Sequence, residues 1–118
     1  MYSDAILEHF RNPHNAGDLP DATATVDVTN PVCGDILRLS VRIENGRIAA
    51  AKFKTQGCVA SIASSSILTD LLLGKTIEEA RALTPQEIAD ALGGLPAATF
   101  HAAQLCADAV VDLMGRVG

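Results

Sequence analysis

Four side chains of metal-binding type stand at junctions between regular segments of this chain. Cys33 and Asp35 lie in Asn30-Pro31-Val32-Cys33-Gly34-Asp35, Cys58 follows Gln56-Gly57, and His101 follows Phe100. Thiolate, carboxylate and imidazole are the groups from which tetrahedral zinc or iron sites are built. Thiolates are also what an iron–sulfur cluster requires. Pro31 and Gly34 stiffen and tighten the first loop, which presents the Cys33 thiol and lets Asp35 approach the same centre. Cys58 falls where a helix is expected to start, and the free amides there favour a thiolate. His101, on a helix, can hold its tautomer through a further contact. Structural readings stand beside these. A single cysteine at a strand–helix junction is often a small buried hydrophobe. An aspartate after glycine is often a turn residue, and no two cysteines make a C-x-x-C pair. Spacing alone leaves both readings open.

The elements that must position these residues can be read from periodicity. Ser3 caps a short helix over 2–10, with Ile6, Leu7 and Phe10 at helical spacing, and Asn12-Pro13 stops it. Residues 22–29 alternate, with Ala22, Ala24, Val26 and Val28 on one face, and predict a half-buried strand. A second strand over 36–44 turns Leu39, Val41 and Ile43 inward. Asn45-Gly46 is a two-residue hairpin turn leading to a third strand over 47–55. Strict pairing would set Lys52 opposite Leu39 on the apolar face, so a bulge is expected in this hairpin. After Gly57 the period becomes helical over 59–73, with Gly74 as the stop. Thr76 with Glu79 forms a capping-box pattern, Thr84-Pro85-Gln86-Glu87 opens another helix that ends at Gly93-Gly94, and a last helix covers about 98–114. Strands followed by helices predict an α+β fold, a small three-stranded antiparallel sheet with helices on one face.

Composition bounds the rest. The 118 residues suit one domain, 1–118, and with 48% apolar residues disorder is a poor reading. Nine basic residues against 14 acidic ones argue against nucleic acid as the main partner, because phosphate binding needs a basic face. No apolar run approaches the roughly 20 residues that cross a bilayer, and the start, MYSDAILEHF, has no leader pattern. The expectation is a cytoplasmic protein with no membrane partner, in which three cysteines serve metal or catalysis rather than disulfides. Ser64-Ser65-Ser66 reads as a close-packing stretch in a helix. No nucleophile turn or phosphate loop is present.

At the same residues the chain resembles the IscU/NifU-type iron–sulfur cluster scaffold family. Tyr2-Ser3 to His9-Phe10, then Asn12-Pro13, Asn15 and Gly17, look like its N-terminal segment. Asn30-Pro31-Val32-Cys33-Gly34-Asp35 is similar to its first cysteine motif. Lys52-Phe53-Lys54-Thr55-Gln56-Gly57-Cys58, continued by Ala60-Ser61-Ile62-Ala63-Ser64-Ser65-Ser66, is similar to its second. The resemblance implies a SufE/NifU-like fold and a scaffold rather than an enzyme. A cysteine desulfurase supplies sulfur as a persulfide, iron arrives, and a [2Fe–2S] cluster forms and passes to apo-protein or carrier recipients, with zinc commonly in the empty site. Carried over by position, Cys33, Asp35, Cys58 and His101 match the family's ligands. The family's third cysteine, directly after the histidine, is Ala102 here, and Cys106 stands one helical turn further on with Val110 and Leu113, a core pattern. Leu95-Pro96-Ala97-Ala98-Thr99 departs from the family's Leu-Pro-Pro-Val-Lys motif, which leaves an Hsp70-type chaperone partner open. The alternative function is a zinc-bound partner of the desulfurase that accepts sulfur or regulates without building clusters.

Overall fold

The computed structural model describes residues 2–31 and 34–117. The elements run α1 (Asp4–Arg11), β1 (Ala24–Thr29), β2 (Ile36–Glu44), β3 (Arg47–Gln56), α2 (Val59–Leu72), α3 (Ile77–Arg81), α4 (Pro85–Ala91) and α5 (His101–Val117), with a 3-10 turn over Ala97–Thr99. The strands form one antiparallel sheet in the order β1-β2-β3. The expected α+β arrangement is the one the chain adopts.

Alternation decides which face is covered. Val26, Leu39 and Phe53 lie in register across the sheet, as do Ala24, Val41 and Ala51, and all point to the side where α5 packs on β1 and β2 and α2 packs on β3. Leu37, Leu39 and Val41 of the central strand are fully buried there, against Leu68 and Leu72 of α2 and Val110, Leu113 and Met114 of α5. The outer face is polar. Arg38 Nε bonds Asp27 Oδ1 at 2.8 Å, and this contact holds the Asp27 carboxyl below the usual carboxylate range.

The hairpin carries the expected bulge. Asn45 and Gly46 adopt φ of 54° and 75°, the paired positive angles of a type I′ turn. The register then shifts: Ile43 pairs with Ile48 but Arg42 pairs with Ala50, so Ala49 is the extra residue. The shift lets Ile48, Ala51 and Phe53 all face the core, and it sets Lys52 opposite Ser40 instead of Leu39.

The N-terminal segment is tied to both layers. Ser3 caps α1 and also donates to the Leu92 carbonyl, while Ile6 is buried between Ala63 and Leu92. Residues 15–17 then run beside β3, with Phe53 N donating to Asn15 O at 3.0 Å and Gly17 N to Phe53 O at 2.8 Å. Both capping boxes, Thr76/Glu79 and Thr84/Glu87, form as expected. No helix among the described residues is long and apolar enough to cross a membrane.

Cys106 belongs to this core. It is 1% exposed, and its thiol stands 3.9 Å from the Ser65 hydroxyl. Burial pushes the thiol from 9.0 up to about 12, with the Ser65 hydrogen bond opposing the rise. The folded state therefore holds this proton more tightly than the unfolded chain. That contribution to stability is fully present below pH about 9 and is lost as pH rises toward 12. Cys106 should resist Ellman's reagent at pH 8 in the native chain and react once denaturant is added; peptide mapping after alkylation checks it. Modification as fast as that of Cys58 would contradict the buried placement.

Candidate metal and cluster centre

The centre is built where one end of the sheet meets the first turns of two helices. Between β1 and β2 the chain closes on itself: Asn30 N donates to Asp35 O at 2.9 Å and Gly34 N to Asn30 O at 2.8 Å. Gly34 takes φ of 76°, a left-handed conformation that a residue with a side chain adopts only under strain. This turn delivers Asp35 immediately before β2. Because Ile36 pairs with Gln56, the residues just beyond β3, Gly57 and Cys58, come alongside it.

Cys58 is the N-cap of α2, and its side chain makes no capping bond, so the thiol is left available. His101 is the first residue of α5. One ligand atom from each of Asp35, Cys58 and His101 lies within 4.8 Å of the other two. Three segments far apart in sequence thus converge on one point. His101 Nε2 is 3.7 Å from Asp35 Oδ2. Asp35 is 7% exposed, a burial that an unpartnered carboxylate would not tolerate. Its partner is the Ser61 hydroxyl, which donates to Oδ2 and also lies 3.4 Å from Cys58 Sγ.

Of the four residues expected from sequence, the structure brings together Asp35, Cys58 and His101. Cys33 lies outside the described residues. Ala102, which follows His101, is buried and offers no donor atom. Two further residues shape the centre without having been singled out. Ser61 is three residues after Cys58, so it shares the face of α2's first turn with that thiol; this spacing was the available signal. Gly57 acts by what it lacks: a Cβ there would sit 2.8 Å from Asp35 Cγ and 3.0 Å from Ser61 Cβ, too close for either to stay in place.

Residues 1–114 match the model of the NifU-like N terminal domain family. The chain belongs to this family. It is 47% identical over 122 residues to iron-sulfur cluster assembly scaffold protein IscU 1 of Archaeoglobus fulgidus, covering 100% of this chain and 80% of that protein. It is 43% identical over 114 residues to the scaffold protein IscU of Azotobacter vinelandii, covering 92% and 88% of the two chains. A relative from Drosophila melanogaster at 42% identity, spanning 93% of this chain and 73% of its own, is named an iron-sulfur cluster assembly enzyme. Among solved structures, the N-terminal NifU-like protein of Brucella abortus superposes with a TM-score of 0.77 at 22% identity, covering 98% of this chain and 92% of that one, a likeness of fold.

In this NifU-like domain the Ser61 hydroxyl orients a buried carboxylate, and partners of that kind tune metal affinity by about 10–100-fold. Ser61→Ala should weaken zinc or cobalt binding within that range while leaving the far-ultraviolet circular dichroism intact. Competition titration against a chromophoric chelator measures it, and an unchanged affinity would show that Asp35 is held without Ser61.

Proposed function

We propose that this chain, residues 1–118 as one domain, is a scaffold for iron–sulfur cluster assembly and transfer. Cys33, Asp35, Cys58 and His101 hold the iron and the [2Fe–2S] cargo, and zinc takes the same ligands when no cluster is carried. The observation that carries this reading is the convergence of Asp35, Cys58 and His101 from three separate elements on one accessible corner. The donor set fits the cargo. Two thiolates, one carboxylate and one imidazole close a tetrahedron around a single zinc or iron, or supply two ligands to each iron of a binuclear cluster. A carboxylate binds iron less tightly than a thiolate does, and a cargo meant to be released gains from one weak ligand.

The chain acts as a scaffold and, at most, a sulfur acceptor. Sulfur comes from a cysteine desulfurase, and the finished cluster goes to apo-proteins or carriers in the reducing cytoplasm, where exposed thiols persist. Ala102 has no thiol and Cys106 is sealed in the core, so the acceptor is Cys58 or Cys33. An acceptor thiolate attacks the outer sulfur of the desulfurase persulfide. The S–S bond breaks, the desulfurase cysteine leaves as a thiolate, and the new persulfide resides on the scaffold, with no net change of oxidation state.

Anaerobic incubation with ferrous iron, cysteine, a cysteine desulfurase and a thiol reductant should give a visible chromophore with iron and acid-labile sulfide in equal amounts. The reductant and the iron together supply the electrons that take persulfide sulfur to sulfide. If zinc is taken up and no chromophore ever forms, the chain is a zinc-bound partner of the desulfurase and not a scaffold. Asp35→Ala should slow cluster loss to a chelator, because the weak carboxylate bond is where the cluster opens; an unchanged rate would remove Asp35 from the ligand set.

Position 102 gives a separate test. Ala102→Cys restores a thiol next to His101 and should lengthen the cluster's lifetime in the same chelator assay. An unchanged lifetime would mean that the side chain at 102 faces away from the site.

A further inference from the structure

A second constellation of metal-ligating side chains lies where α1, the loop after it and α2 meet. His9 comes from the last turn of α1, His14 from the loop, and Asp70 from the last turn of α2. One nitrogen from each imidazole and one carboxylate oxygen all lie within 4.8 Å of one another. The two rings are 4.5 Å apart between centroids and tilted by 51°. His14 Nδ1 is 2.6 Å from Asp70 Oδ2.

The framework behind these groups is fixed. The Ser66 hydroxyl, wholly buried on α2, lies 2.7 Å from His9 Nδ1 and accepts the His14 backbone N–H at 2.8 Å, so one group positions both histidines. A ligating imidazole commonly engages a protein group through one nitrogen and gives the other to the metal, and Ser66 already occupies Nδ1 of His9. Asn15 Nδ2 donates to Thr69 Oγ1 at 3.1 Å and reaches Asp70 Oδ1 at 3.4 Å, which holds the carboxylate from its other side. The front is open: the His14 and Asp70 side chains are 48% and 36% exposed.

We propose that His9, His14 and Asp70 form a second metal site, one for a borderline divalent cation of the zinc, cobalt or nickel class. Two imidazoles and one carboxylate form a three-ligand set that leaves a fourth position for water. The site contains no thiolate, so it disfavours the soft, sulfur-rich cargo of the first centre and favours ions that imidazole and oxygen suit. Its ligands come from α1, a loop and α2, so occupancy ties the N-terminal helix to the body of the fold. That segment is otherwise held by the α1–α2 packing, the Ser3 contact to the Leu92 carbonyl and the pairing of residues 15–17 with Phe53.

Cobalt(II), titrated anaerobically into the full chain, tests this. Two equivalents are expected, one with intense thiolate-to-cobalt charge transfer in the near ultraviolet and one with only weak d–d bands. Cys58→Ser should diminish the charge transfer and leave the weak bands. His14→Asn and Asp70→Asn should each abolish the weak-band equivalent, weakening it at least about tenfold, and leave the charge transfer intact. Zinc should raise the melting temperature of Cys58→Ser more than that of Cys58→Ser combined with His14→Asn. Absence of the weak-band equivalent from the unmodified chain, or a weak-band equivalent that survives both His14→Asn and Asp70→Asn, would overturn the proposal. Because the readout uses no cluster, failure of the scaffold reading would leave this test untouched.

Discussion

A carboxylate can stand between the end of a sheet and the start of a helix only if the neighbouring backbone carries no side chain and something donates to it. Asp35 meets both conditions. Gly57 leaves the space that a Cβ would take at 2.8 Å, and Ser61 supplies the hydroxyl. The rest of the corner follows. The register that pairs Ile36 with Gln56 brings Gly57 beside Asp35, and it makes Cys58 the second residue past the sheet and the cap of α2. A single step of slip in that pairing would turn Leu37 and Leu39 outward as well. The hydrophobic core and the chemical site are therefore fixed by the same ladder.

α2 explains how so polar a helix can sit inside the fold. It is covered by α1 on one side and by β3 and α5 on others, and Ser61, Ser64, Ser65, Ser66 and Thr69 are all buried. Most of these hydroxyls have a partner in another element. Ser61 bonds Asp35, Ser65 accepts from Thr55 of β3 at 2.9 Å, and Ser66 holds His9 and His14. The close packing anticipated from three consecutive serines is present, but the hydroxyls also serve as fixed hydrogen-bonding points. Among the described residues Ser64 Oγ has no hydrogen-bond partner, which is the packing role without the polar one.

The legible parts of this chain were those governed by local rules. Alternation located β1 and β2, Asn45-Gly46 located the hairpin and with it β3, and capping patterns located the short helices, because each depends on residues within a few positions of one another. The need for a bulge was also legible, since Lys52 cannot face a leucine core. Its position was not, because Ala49, Ala50 and Ala51 are alike in sequence and only the packing of Ile48 and Ala51 together selects Ala49 as the extra residue. The convergence of Asp35, Cys58 and His101 depends on contacts across 23 to 66 positions, and periodicity is silent on these; motif resemblance supplied them. The cluster of His9, His14 and Asp70 was illegible for the same reason, with no spacing rule joining α1 to the far end of α2.

Cys106 shows how a thiol can be present in the chain and absent from its chemistry. It lies on the buried side of α5, where the helix contributes to the core, and its thiol is a small hydrophobe whose ionisation is suppressed. α5 thus brings one accessible donor to the proposed centre, the imidazole of His101 at its first residue. Among the described residues, the accessible thiol at this corner is Cys58, at the junction of β3 and α2. In the proposed centre, sulfur chemistry therefore belongs to the sheet side, and α5 supplies a nitrogen ligand. A mixed donor set of this kind holds iron through unequal bonds, and the unequal bonds are what let a carrier both form and surrender its cargo.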